Sequence, residues 1–392
     1  MKTNYKKLGD YIQTVNVRNT DLSVDTLLGI TITKEFIPSV ANTIGTDMSK
    51  YKVIQKNQFA CSLMQVSRDN RIPIALLKDY DKAIISQAYT LFEVIDETVL
   101  LPEYLMMWFS RTEFDRQASF FAVGGVRGSL DWDDFLELEL PIPSIEKQRE
   151  IVNEYNTVVN RIKLNEQLNQ KLEETAQALY KHWFVDFEFP NEDGQPYKSS
   201  GGKMVYNEEL DKEVPLGWRV VELGDISDIT MGQSPKSESY NEIANGEIFY
   251  QGRTDFGFRV PSIRVYTTEP KRKAKKNDIL MSVRAPVGDL NIANTDCCIG
   301  RGLSALRCDE QSFLFYVMKN FKAVFDANEG TGTIFSSINK DELNSLKVIY
   351  NKEISVLFND KITELDKLIV LQSKQNQQLI ELKELLLAKM GT

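Results

Sequence analysis

The sequence predicts an α+β protein in which one plan, a globular domain followed by a long helix, occurs twice in tandem. Three observations carry this expectation. The stretches 144–183 and 351–390 share one heptad pattern of apolar residues. Short motifs recur ahead of each: Leu8-Gly9-Asp10 with Leu223-Gly224-Asp225, Lys56-Asn57-Gln58-Phe59 with Lys276-Asn277-Asp278-Ile279, and Ser129-Leu130-Asp131 with Ser337-Ile338-Asn339. The globular stretches mix short β-branched runs with short helical patterns. Two large units make a duplication; a solenoid needs shorter periods and more copies. The expected boundaries are a first domain at 1–143, a first helix at 144–186, a linker at 187–214, a second domain at 215–350 and a second helix at 351–392.

In the first domain, Leu27–Ile32 and Ala83–Ser86 read as strands, and Leu101–Phe109 reads as a helix with Pro102 in its first turn. Gln311–Met318 is the matching helix of the second copy. The first long helix begins after the breaker Pro141-Ile142-Pro143, with Ser144 as N-cap and Glu146 in the first turn, where a carboxylate favours the helix dipole. Its seam positions are Ile151, Val158, Asn165, Leu172 and Leu179, and Tyr155, Ile162, Asn169, Ala176 and Trp183. The second long helix has Asn351 as cap. Its seams are Phe358, Leu365, Gln372, Leu379 and Leu386, and Ile362, Ile369, Asn376, Lys383 and Met390. Both seams turn polar at the same two layers, Asn165/Asn169 and Gln372/Asn376, and polar seam residues fix register at a cost in stability. The helices therefore look made to pair, in a direction the matched layers leave open. The stretch after the first helix, with Asn191-Glu192-Asp193-Gly194 and Ser199-Ser200-Gly201-Gly202, has the composition of a linker.

Composition bounds the function. A chain of 392 residues with 42% hydrophobic and 26% charged residues is that of a soluble globular protein of two or three domains. No apolar run approaches the roughly 18 residues of a membrane span, and Met1–Lys7 leads into no signal core, so a cytoplasmic protein is expected. The four cysteines form no C-x-x-C pair, which disfavours zinc and a disulfide framework. A net charge of −9 argues against a chain that coats nucleic acid indiscriminately but leaves room for a local basic face.

Catalytic signatures are absent from the sequence. There is no phosphate-binding G-x-x-x-x-G-K-[ST] loop, no glycine-rich dinucleotide turn and no paired prolines of a methyltransferase base pocket. No Pro-Asp nuclease signature occurs, and the one histidine, His182, sits at a helix end where it suits the dipole. Candidate DNA contacts do occur. In the second copy they are Gln233, Ser234 and Lys236 in a polar loop, Gln251, Arg253 and Thr254 around Gly252, and the cations Arg284 and Arg301. Gln and Arg read adenine and guanine edges bidentately. In the first copy Gln65, Arg68 and Arg71 stand where Arg284 and its neighbours stand in the second. Each alone is ordinary surface chemistry, and so is the basic run Lys271–Lys276 as a solvated turn; recurrence at matching places in both copies singles the former out.

Across its whole length the sequence resembles the specificity subunits of type I restriction–modification systems. The resemblance rests on the two-copy plan and on short motifs. These are Gly232-Gln233-Ser234-Pro235 with Tyr240-Asn241 and Gly246-Glu247-Ile248, Leu140-Pro141-Ile142-Pro143-Ser144 with Gln148 and Ile151, and Lys181-His182-Trp183-Phe184-Val185-Asp186-Phe187. The chain departs from the pattern at Val348-Ile349-Tyr350 and at Val15-Asn16-Val17-Arg18. The resemblance implies two target recognition domains, each reading half of a split double-stranded DNA site, and two long helices paired as an antiparallel coiled-coil spacer. It also implies docking of two modification subunits and of restriction subunits. The cofactors S-adenosylmethionine, ATP and Mg would lie on those partners, leaving this chain without catalytic residue or cofactor. An antiparallel pair would oppose Asn169 to Gln372 and Asn165 to Asn376. A helix of about 35–40 residues is roughly 50–60 Å long, enough to hold two half-sites about a helical turn or more apart. The competing classes are a stand-alone DNA-modifying enzyme and a coiled-coil adaptor without DNA contact.

Overall fold

The computed structural model describes residues 5–41, 45–64, 66–122, 128–329 and 337–391. By compactness the chain divides into two units, residues 1–162 with 378–392, and residues 163–377. The duplication is visible as one topology drawn twice. The first unit has a four-stranded antiparallel sheet in the order Ile12–Val15, Thr90–Val94, Phe59–Cys61, Ile74–Leu76. The second unit repeats it with Asp228–Met231, Leu303–Arg307, Ile279–Ser282, Leu290–Ile292. A two-stranded ribbon closes each domain: Tyr5–Lys7 with Glu139–Pro141, and Arg219–Glu222 with Lys347–Tyr350.

The repeated motifs occupy matching turns. Asn57 and Asn277 both take a left-handed backbone, φ 66° and 74°, which asparagine tolerates better than most residues. Each donates its N–H to the carbonyl just past the fourth strand of its sheet, at Leu77 O (2.9 Å) and Ala293 O (2.8 Å). Leu8 N and Leu223 N likewise reach Leu138 O and Leu346 O, each at 2.8 Å. The expected helix at 101–109 spans Pro102–Phe109, and its second-copy partner runs on to Gln311–Glu329. Asp131 and Asn339 both precede short helices, and the Asn339 side chain caps the second by accepting from Glu342 N. Each sheet buries one face against these helices. Phe59, Phe92, Phe109, Phe114 and Phe135 form the first aromatic core, and Phe313, Phe358, Trp183 and Phe184 the second.

The long helices are Ile145–Tyr180, continued by a π-helical turn at Lys181–Val185, and Lys352–Lys389. Ser144 Oγ accepts from Lys147 N (3.4 Å), and Asn351 Oδ1 from Ile354 N (3.1 Å), as the caps predict. The helices pair antiparallel within each unit. In the second, Ala176 and Tyr180 share a core with Phe358 and Ile362, and Asn165 meets Asn376; in the first, Val152 packs with Leu387 and Met390. The predicted seam residues are all buried or half-buried.

Two expectations take a different form. Asn165 Nδ2 donates to Asn376 Oδ1 (2.8 Å) as expected, and also to Gln375 Oε1 (3.0 Å). Asn169 Nδ2 instead points at Ser373 Oγ (3.4 Å), beside Gln372, whose Oε1 has no hydrogen-bond partner among the described residues. A straight helix drifts about 20° per heptad from a 3.5-residue seam, enough to bring the neighbouring residue into line. The stretch expected as a linker also contributes core: Phe187 and Phe189 are buried against Trp218, and Met204–Asn207 pairs with Lys212–Pro215.

Candidate nucleic-acid interface

In the second unit the candidate residues come from four separate stretches that meet at one end of the sheet. Gly232 N donates to Leu303 O (2.9 Å) and Gln233 N to Ile299 O (3.0 Å), laying the 232–236 loop along the turn after Cys297–Ile299. Gly300 N donates to Tyr250 O (2.9 Å), which brings the 251–255 loop against the same turn. Val283 N donates to Gly302 O (2.9 Å) and adds the segment that carries Arg284. The approach is close enough to require glycine: a Cβ on Gly232 would lie 2.2 Å from Gly300 O, and one on Gly300 2.7 Å from Gln251 O.

Gln233, Gln251, Arg253, Thr254, Arg284 and Arg301 are thereby gathered on one face with exposed side chains. Ser234 is half-buried and its Oγ accepts from Arg301 N (3.1 Å), so it shapes the loop rather than projecting from it. Lys236 is exposed farther along the same loop, ahead of the turn Ser237–Ser239. Arg253 Nε lies 3.2 Å from Asp289 Oδ2 on a half-exposed side chain. The carboxylate nearer in sequence, Asp255, is buried: it accepts from Gln251 N (2.8 Å) and from Arg264 Nε (3.0 Å). Thr254 Oγ1 accepts from Arg264 Nη2 (3.3 Å).

Sequence reasoning missed two members of this cluster. Arg264, half-exposed, braces the 251–255 loop from nine residues away, a relation that sequence adjacency does not reveal. Arg272, read as part of a solvated basic run, is placed beside the site because Ile299 N donates to its carbonyl (2.9 Å). Elsewhere in that run Lys273 pairs with Glu247 (2.5 Å) and Lys276 N binds Asp296 Oδ1 (2.8 Å), as a solvated turn does.

The first copy repeats the placement. Leu130 N donates to Leu63 O (2.9 Å), as Ile338 N does to Val283 O (3.0 Å), so the segment after Phe59–Cys61 corresponds to the one that carries Arg284. Arg68 and Arg71 are exposed on it. Arg68 forks onto the neighbouring Asp69 at 2.7 and 3.1 Å. Ile72 N, next to Arg71, is anchored on Asp115 Oδ1 (3.2 Å), which also pairs with the buried Lys34 (2.8 Å). Burial pushes the Lys34 ammonium below its usual range, opposed by the Asp115 carboxylate. Gln65 lies outside the described residues. The first copy thus presents fewer of the expected groups together than the second does.

A family model described as "Type I restriction modification DNA specificity domain" matches residues 5–174 and 215–382, one match for each copy. The chain belongs to this family. Its members are recognition subunits, which agrees with the lack of catalytic motifs in the sequence. The chain is 31% identical over 291 residues to a Methanocaldococcus jannaschii protein with the provisional name type I restriction enzyme MjaX specificity subunit. That match covers 72% of this chain and 64% of the relative, so the chain spans less than two thirds of its length. It is 25% identical over 377 residues to the type I restriction enzyme HindI specificity subunit of Haemophilus influenzae, covering 80% of this chain and 81% of that one. Among solved structures, the type I restriction–modification S subunit from M. genitalium shares the fold at TM-score 0.60 and 16% identity, over 99% of this chain and 96% of that one. Among the described residues no helix is long and apolar enough to cross a membrane.

Proposed function

We propose that this specificity subunit reads a bipartite double-stranded DNA target, one half-site per globular domain, and carries modification subunits on its paired helices. The observation that carries the reading is the gathering of Gln233, Gln251, Arg253, Arg284 and Arg301 on one glycine-pinned face of the second domain. Such a face offers Gln and Arg forks for base edges and several cations for phosphates. The first domain presents Arg68 and Arg71 on the corresponding segment. A duplicated reader suits a split target, because each copy needs to match only its own half.

In this reading the chain works without cofactor. S-adenosylmethionine belongs to the modification subunits, which methylate adenine, and ATP and Mg belong to restriction subunits. The complex acts in the cytoplasm, where the genome is. The Asn165–Asn376 layer holds the helix pair in register and so holds the gap between half-sites constant.

Methylome sequencing of cells with and without this gene tests the proposal. The expected result is an adenine-methylated motif of two short blocks with a fixed gap that disappears with the gene. Loss of a single continuous motif would argue for one reader, and no change would argue for an adaptor without DNA contact. A purified chain that methylates DNA by itself would make it a stand-alone enzyme.

A further inference from the structure

Arg259 is the largest side chain that the described residues bury completely. It leaves the excursion between Glu247–Tyr250 and Tyr266–Thr267, the same excursion that carries Gln251, Arg253 and Thr254. Its guanidinium lies over the Phe315 ring, with Cζ 3.9 Å from the centroid. Nη2 donates to Tyr316 Oη (3.0 Å) and to Asp366 Oδ1 (3.1 Å) and lies 3.3 Å from Glu173 Oε2. Tyr316 Oη donates to the same Asp366 oxygen (3.0 Å), and Lys319 closes the other side of Glu173 (2.5 Å). One side chain from the reading loop is thus tied to Glu173 on the first long helix, Asp366 on the second, and the helix Gln311–Glu329.

Stability alone does not account for such a network. Burying a guanidinium is costly, and replacing a buried ion cluster by apolar side chains is often neutral or stabilising. Arg259 Nε and Nη1 have no hydrogen-bond partner among the described residues, which adds to the cost. What the cluster supplies is geometry, since a single Nη2 group held between two carboxylates and a tyrosine hydroxyl, with the guanidinium over Phe315, admits few positions. The backbone of the same excursion is held from the other side. Ile292 N donates to Arg259 O (2.8 Å), while Asn291 accepts from Gly257 N (3.2 Å) and donates to Gly257 O (2.9 Å).

We infer that Arg259 is a positioning residue for the second half-site, locking the Gln251–Thr254 loop to the helix pair that sets its place on DNA. The inference rests on the DNA-reading function proposed above. It makes the helices part of the reading apparatus of the second domain, because movement at Glu173 or Asp366 would move the loop that carries Arg253.

The test uses the chain assembled with modification subunits and measures methylation of the cognate duplex and of duplexes altered at one base in either half. Two variants are compared, Arg259→Lys and the triple replacement Arg259→Met with Glu173→Leu and Asp366→Leu. The triple variant removes the three buried charges at once, and the Lys319 ammonium that loses Glu173 is 30% exposed and can turn to solvent. Both are expected to keep the fold, with the triple variant at least as resistant to heat as the parent. Both should lose discrimination at the second half-site by on the order of tenfold, a typical single-base penalty, with the first half-site unchanged. Full discrimination at both halves in the triple variant would reduce the network to a stabilising role and overturn the inference. Equal loss at both halves would also overturn it, by placing the defect in assembly. A parental complex with no second half-site dependence would instead remove the reading function on which the inference rests.

Discussion

Replacing Arg253 by alanine probes the proposed reading face most locally. The side chain is half-exposed, with Nε 3.2 Å from Asp289 Oδ2, and no hydrogen bond occupies its two Nη groups among the described residues. Those groups form a free fork for a guanine edge or a phosphate. A half-exposed pair of this kind contributes at most about 1 kcal/mol to folding, so the variant should melt close to the parent. A bidentate base contact is worth about 1–3 kcal/mol of discrimination, which corresponds to about 5–150-fold in affinity. Binding of the assembled complex to cognate and single-base-altered duplexes, titrated over several salt concentrations, reads that difference. Loss confined to the cognate duplex, with the salt slope unchanged, is expected. Arg253→Lys, which keeps the charge and loses the fork, should fall close to alanine on discrimination. An equal loss on every duplex with a shallower salt slope would make Arg253 a phosphate contact and refute the base-reading role.

Other consequences follow from the same geometry. Gln148, fully buried, accepts from Leu101 N (2.9 Å) and donates to Val99 O (2.8 Å) and Pro143 O (2.9 Å). At about 1 kcal/mol per lost bond, Gln148→Leu should cost about 3 kcal/mol, visible as a fall of roughly 6–12 °C in melting temperature; an unchanged Tm would show that the bonds are dispensable. Replacing Asn165, Asn169, Gln372 and Asn376 together by leucine should stabilise the helix pair and broaden the range of gaps methylated; a gap preference as sharp as the parent's would remove the register role. A heptad inserted in both helices should lengthen the preferred gap by about 3 base pairs, since it adds roughly 10.5 Å of helix. Burial pushes the Cys61 and Cys297 thiols up to about 12, so both should resist alkylation at pH 8 in the folded chain and react once it is unfolded; rapid native labelling would contradict their burial.

Much of this architecture was legible in the residues because it depends on local chemistry. The caps Ser144 and Asn351, the repeated motifs at Lys56-Asn57 and Lys276-Asn277, and the heptad seams each announce themselves within a few positions. Both seams carry amides at the same layers, and the antiparallel pair that the resemblance implies sets Asn165 against Asn376. Asn169 could not be assigned its partner, because helical drift that is invisible in a heptad table selects Ser373 over Gln372. Phe187 and Phe189 were hidden beside Asn191-Glu192-Asp193-Gly194 and Ser199-Ser200-Gly201-Gly202, whose turn residues make the stretch read as a linker. The second-domain face was readable as chemistry but not as a place, since hydrogen bonds from Gly232, Gly300 and Val283 assemble it from distant segments. Arg259 was overlooked for the opposite reason, because an arginine beside the exposed Phe258 reads as surface and only the fold buries it.

The central claim is that the two copies are separate readers, and an exchange of the first domain tests it most directly. Residues 1–140 are replaced by the corresponding stretch of a relative with a different target, and the methylome of cells that carry the chimera is sequenced. The account predicts a hybrid motif: the first block changes, while the second block and the gap are kept. A motif in which both blocks change, or in which neither does, would contradict it.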